Sequence, residues 1–314
     1  MHKANNDNVV TDELTLNYHL MHPGNESSPG DPNVAFYLDG VYHLHYILRH
    51  PWRDKHSFAF IHITSPDMLH WTWQTTKLQP SFTKHGMFSG TGFITKEGQP
   101  AAIYHGQASG RNQIAVAKDK HLLNWEEPYP VEPKTTEGQD ADMNHWDPDC
   151  FLINNTYYAI SGGQTPPLIK SKDLTNWTFV GNFLKHELPD VAIGEDISCP
   201  NFFPLGDKYM LLCISHQLGC RYYIGNWNAE TEQFVPETHG RMNWKRPEQS
   251  IYNPIYRDFF APESLLTPDG RRVMWAWLAT LDEAINQKTI QFLPRELNLS
   301  KNGSLRFQPL RELD

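Results

Sequence analysis

The residue pattern predicts an all-β protein, a single five-bladed β-propeller over residues 1–314. Three observations predict it. Short runs of β-branched and aromatic residues alternate with turn residues, and no long helical periodicity interrupts them. A tryptophan recurs at Trp71, Trp125, Trp177 and Trp227, in steps of 54, 52 and 50 residues. A turn followed by a strand-like run recurs five times at the same pace.

The turn-plus-strand units are DGVYHLHYI from Asp39, EGQPAAIYHG from Glu97, NNTYYAISGG from Asn154, GDKYMLLCIS from Gly206 and DGRRVMWAWL from Asp269. Each reads as the turn and second strand of a hairpin. The stretches SPDMLHW, KDKHLLNW and KSKDLTNW place a charged turn a few residues before the tryptophan, and IGNW supplies the fourth. These tryptophans are read as blade-packing residues. Five units of four strands make a propeller. A β-sandwich would have to explain two independent markers sharing one period. Residues around 18–21 are expected to join the last blade and close the ring, because an open edge strand invites association.

Composition narrows the function classes. The net charge is −9 and no basic run occurs, which excludes nucleic acid and anionic membrane as expected partners. No apolar stretch approaches the ~18 residues of a membrane span. The start, MHKANNDNVVTDELTL, is polar and lacks a signal-peptide core, so the chain is expected to be cytoplasmic, or secreted with a signal already removed. Cys150, Cys199, Cys213 and Cys220 fit no zinc spacing and no disulfide scaffold. His43 and His45 alternate on one strand and His62 stands apart, so no metal ligand set is completed. No metal and no organic cofactor are expected.

Acids recur where blades begin. Counting back from each turn gives Asp31 in GDPN, Ser89 in FSG, Asp147 in WDPD, Glu195 and Asp196 in GEDISCPNFF, and Glu263 in APESLL. In a propeller these positions converge on one mouth of the central channel. Clustered carboxylates shift one another's pKa, and two acids with separated pKa values can serve as nucleophile and general acid. Asp39 and Asp269 are read as turn caps. Calcium is the other ligand that such acids suit, but no EF-hand-like loop supports it.

These motifs, in this order, resemble glycoside hydrolase family 32, the invertase, inulinase and levanase group, over nearly all of the chain. GDPN resembles the motif that holds the family's nucleophile, which would make Asp31 that residue, with Asn33 beside it. FSG at 88–90 is similar to the family's Phe-Ser-Gly, implying Phe88 and Ser89 as substrate contacts. WDP at 146–148 resembles Arg-Asp-Pro, which gives Asp147 the role of holding sugar hydroxyls in the transition state. HITSPDMLHW, FFAPESLLTPDGRR and LPREL also resemble family stretches. The chain departs from the pattern where the family's acid/base Glu directly precedes Cys-Pro, since that position is Ser198. Glu195 is the expected acid/base in its place, reaching inward through a bend at Gly194, with Asp196 and Glu263 contacting substrate. Trp146 replaces the motif's Arg, Gly30 its first Asn, and Ile47 and Phe60 stand where the family has Gln and Trp. Trp52, Trp146 and Trp244 are candidates for stacking on sugar faces. The family's C-terminal β-sandwich is expected to be missing.

The resemblance implies a retaining hydrolase of β-fructofuranosides such as sucrose, fructo-oligosaccharides or fructans, with an oligosaccharide or glycoside substrate as its expected partner. Two alternatives remain open at this point. One is a related furanosidase such as an arabinofuranosidase, and the other is a non-catalytic carbohydrate-binding propeller.

Overall fold

The computed structural model describes residues 20, 22, 29–49, 57–185, 188, 191, 195–216, 218–243, 259–279 and 289–314. They form five antiparallel sheets, four of four strands and one of five. In chain order the innermost strands are Pro32–Leu38, Gly86–Ile94, Asp149–Ile153, Ser198–Leu205 and Phe260–Leu266. Each innermost strand touches its two neighbours, and the fifth touches the first, so the ring closes as a five-bladed propeller.

The hairpin turns form where the sequence marks them. Asp39 and Gly40 both take positive φ, 49° and 88°, the geometry of a tight two-residue turn that twists with its strands. Asn154 and Asn155 do the same at 47° and 60°. The acidic turns before the repeat tryptophans share one construction. Asp67, Asp119 and Asp173 each accept backbone N–H groups from two to five residues ahead. Met68, Leu122 and Leu174 inside those turns adopt positive φ. The indole N–H of Trp125 then donates to Leu122 O, and that of Trp177 to Leu174 O. Both indoles are buried, which is the blade-packing role read from their spacing.

Among the described residues the core is divided. Five apolar clusters occupy the five interfaces between successive blades. Between the first and second, Phe36 packs so closely that a Cβ on Gly92 would lie 2.7 Å from its ring. A second device joins the blades at the channel. Asn33 Oδ1 accepts Gly90 N–H, Thr91 Oγ1 donates to Asp149 Oδ1, and Asp149 Oδ2 accepts Phe202 N–H. Asn201 Oδ1 accepts Ser264 N–H, and Glu263 Oε1 accepts Ala35 N–H at 3.0 Å. One polar side chain per innermost strand thus bonds to the next blade all the way round. These residues are buried, where an unpaired backbone N–H is costly.

Of residues 18–21, expected to join the last blade, Leu20 is described and the other three lie outside the described residues. Leu20 O accepts Gln291 N–H, while Thr289 Oγ1 and Gln291 Nε2 donate to Pro29 O and Gly30 O. Leu20, Pro29 and Gly30 are therefore tied to the last blade, whose five described strands lie within residues 260–309.

Candidate active site

The innermost strands begin with irregular backbone. Val34, Asp147, Cys199 and Ala261 have φ of 45°, 38°, 45° and 46°. The pairing register slips at Asn33/Phe36, Ser198/Asn201 and Phe260/Glu263, and at Met87/Gly90 in the second blade. Such bulges turn side chains at the strand starts towards the channel mouth and hold strain there.

Four of these side chains meet. Asp31 Oδ2 accepts Ser89 Oγ–H at 2.5 Å, and Asp31 Oδ1 accepts the indole N–H of Trp277 at 2.7 Å. The Cys199 thiol lies 3.6 Å from Asp31 Oδ2 and 3.6 Å from Asp147 Oδ2, so it bridges the two acids. Cys199 N–H also donates to Asp147 Oδ2. Asp31 keeps both oxygens fixed by neutral donors, with no cation paired to it among the described residues, which suits a carboxylate that attacks carbon. Asp147 is 2% exposed. Burial first, and then the charge of Asp31, push its pKa up to about 7. Burial likewise raises the Cys199 thiol, so it stays a neutral donor.

The aromatic wall comes from the second and third blades. Phe88 lies 5.3 Å from Trp146 between ring centroids and packs edge-on to Phe58. His105 lies 5.0 Å from Trp146 between ring centroids, tilted against it.

The remaining predicted residues go elsewhere. Glu195, expected as the acid/base, is buried and held bidentately by Arg241, at 2.6 and 2.8 Å. Arg221, fully buried, lies 2.5 Å from the same carboxylate. Burial alone would raise the Glu195 pKa, but the two guanidiniums outweigh it and hold the group below its usual range. A carboxylate locked as an anion is a poor proton donor, so the geometry does not fit the acid/base role. Asp196 accepts His216 N–H, the His216 ring and Ser198 Oγ–H, so it is committed to those three donors rather than to a free sugar contact. Asn33 and Glu263 belong to the inter-blade joints instead of presenting free groups to substrate. Trp52, Trp244 and Gly194 lie outside the described residues.

His43, His45 and His62 do cluster, as stacked, nearly parallel rings at 4.6 and 5.2 Å, with His43 Nδ1 hydrogen-bonded to His62 Nε2 at 3.0 Å and His45 Nδ1 to Val34 O at 2.8 Å. No group of metal-ligating side chains is found among the described residues. Sequence reading missed Trp277, Arg221, Arg241 and His216. None carries a local signal, because each reaches the site from a second, third or fourth strand.

The family model described as the glycosyl hydrolases family 32 N-terminal domain matches residues 24–309. A probable sucrose-6-phosphate hydrolase of Psychromonas ingrahamii is 29% identical, the match covering 96% of this chain and 57% of that protein. A fructan 6-exohydrolase of Beta vulgaris is 27% identical, over 100% of this chain and 56% of its own length. Fructan 1-exohydrolase IIa from Cichorium intybus superposes with a TM-score of 0.72 at 23% identity, covering 94% of this chain and 60% of that one. The last likeness bears on the fold alone. The chain spans less than two thirds of the length of each of these relatives.

Proposed function

Because the chain belongs to glycosyl hydrolases family 32, we propose that it is a retaining glycoside hydrolase acting on β-fructofuranosides. The observation that carries this reading is the pair Asp31 and Asp147, bridged by the Cys199 thiol at the channel mouth. Relatives whose names specify sucrose-6-phosphate and fructan hydrolysis support the substrate class.

In the first half-reaction Asp31 attacks the anomeric carbon and the bond to the leaving oxygen breaks. Ser89 and Trp277 hold the attacking carboxylate in place through its two oxygens. Asp147 holds ring hydroxyls as the oxocarbenium-like charge develops, in a buried setting where such bonds are strong. In the second half-reaction water cleaves the glycosyl–Asp31 ester, restoring the original configuration.

The test is product analysis over sucrose, fructans and arabinosides, with burst kinetics on an activated fructoside. Retention and a burst are expected from the wild type. Asp31→Asn removes the attacking charge at constant volume, so turnover should collapse with the fold intact. Near-normal activity in that variant overturns the assignment. A second reading, a non-catalytic carbohydrate-binding propeller, is favoured by one observation: Ser198 holds the acid/base position while Glu195 is locked in ion pairs. Tight oligosaccharide binding without any turnover would decide for it.

A further inference from the structure

A retaining site needs a proton donor for the leaving group, and neither Ser198 nor the ion-paired Glu195 supplies one. The structure holds another group at the same mouth. His216 directly follows the strand Lys208–Ser215 of the fourth blade. Its backbone N–H donates to Asp196 Oδ1 at 2.9 Å, and its ring Nδ1 lies 2.6 Å from Asp196 Oδ2. Ser198 Oγ donates to that same Oδ2 at 2.9 Å, so the acid that orients the ring is itself oriented. With Nδ1 bound to the carboxylate, the proton open to transfer is the one on Nε2, and the side chain is 51% exposed.

The ring is linked to the nucleophile's support through one intervening ring, Phe260. His216 packs edge-on to Phe260 at 6.2 Å between centroids, Phe260 packs edge-on to Trp277 at 5.7 Å, and Trp277 donates to Asp31. His216 is thus one aromatic pair away from the residue that bonds the Asp31 carboxylate. We propose that His216, held by Asp196, is the acid/base of this site. The inference rests on the glycosidase reading above.

The proton balance is complete without a further reactant. As Asp31 forms its bond to the anomeric carbon, the carbon–oxygen bond to the leaving group breaks and the His216 Nε2 proton moves to that oxygen. Neutral His216 then takes a proton from the incoming water, whose oxygen bonds to the anomeric carbon as the ester to Asp31 breaks. The electrostatics are consistent with both steps. The hydrogen bond to Asp196 raises the His216 pKa above 6.5 against the opposing effect of burial, and the charges of Asp196 and Asp31 add to it, joined by that of Asp147 once it ionises near pH 7. The neighbouring Glu195 charge is countered by Arg221 and Arg241. Asp196 stays ionised, since its bonds to His216 and Ser198 outweigh burial.

The experiment compares wild type, His216→Gln, Asp196→Asn and Asp147→Asn on sucrose and on p-nitrophenyl β-fructofuranoside. His216→Gln should lose roughly 10²–10⁴-fold in kcat/KM on sucrose and much less on the aryl substrate. It should lose the basic limb of the pH profile and regain rate with azide. Asp196→Asn should move that limb to lower pH, a shift that a merely structural contact would not produce. The inference is overturned if folded His216→Gln, checked by its melting curve, keeps the wild-type limb and leaving-group dependence. It is equally overturned if Asp147→Asn alone shows the leaving-group pattern. A wild type inert on every β-fructofuranoside overturns the glycosidase reading itself, and with it this assignment.

Discussion

Asp147→Asn should make the protein more stable above neutral pH while it removes activity. In the native state the Asp147 carboxyl is pushed from 3.8 up to about 7, by burial and then by Asp31. About three pH units at about 1.4 kcal/mol each make the native cost of that charge about 4 kcal/mol. The sign follows from proton binding. Below about pH 4 both native and unfolded chains hold the proton, and the group is silent. Between about pH 4 and pH 7 the unfolded chain has released it and the native chain has not, so wild-type stability falls as pH rises. Above pH 7 the full cost is present. Asparagine never carries the charge. Its extra amide hydrogens do meet a buried place, since Asp147 Oδ1 has no hydrogen-bond partner among the described residues. That offsets about 1–3 kcal/mol at every pH. The stability difference, variant minus wild type, should therefore swing by about 4 kcal/mol in the variant's favour between pH 4 and pH 8. Urea unfolding at pH 4.5, 6 and 8, at one ionic strength, measures it. A difference that stays constant across that range, or swings the other way, refutes the claim that Asp147 is held protonated.

Two further variants separate structure from chemistry. Glu195→Ala leaves the buried Arg221 charge unpaired and should cost about 3–5 kcal/mol in unfolding free energy. Its leaving-group dependence should match wild type, and a stable variant that needs azide for turnover would restore Glu195 as the acid. Glu263→Ala strips the acceptor from Ala35 N–H at the joint of the first and fifth blades and should cost about 1–3 kcal/mol. Its kcat on fructosides should change far less than its melting temperature. The reverse result would make Glu263 a substrate residue after all.

The residue pattern alone was enough for the architecture and for the meeting of Asp31, Ser89 and Asp147 at one end of the channel. Five turn-plus-strand units and the tryptophan spacing follow from local physics: Asp39-Gly40 can turn as few pairs can, and Asp119 and Asp173 cap their own turns. Asp31, Ser89 and Asp147 were legible because each sits at the start of an innermost strand, where fold geometry forces convergence. What a carboxylate does there was not legible. Glu195, Asp196 and Glu263 are the same chemistry in similar positions, yet one is ion-paired to Arg221 and Arg241, one orients His216, and one joins two blades. Those partners come from other strands or other blades, up to 228 residues away along the chain. Proton affinity in a buried site depends on what lies within a few ångströms, and only the closed ring of blades decides that.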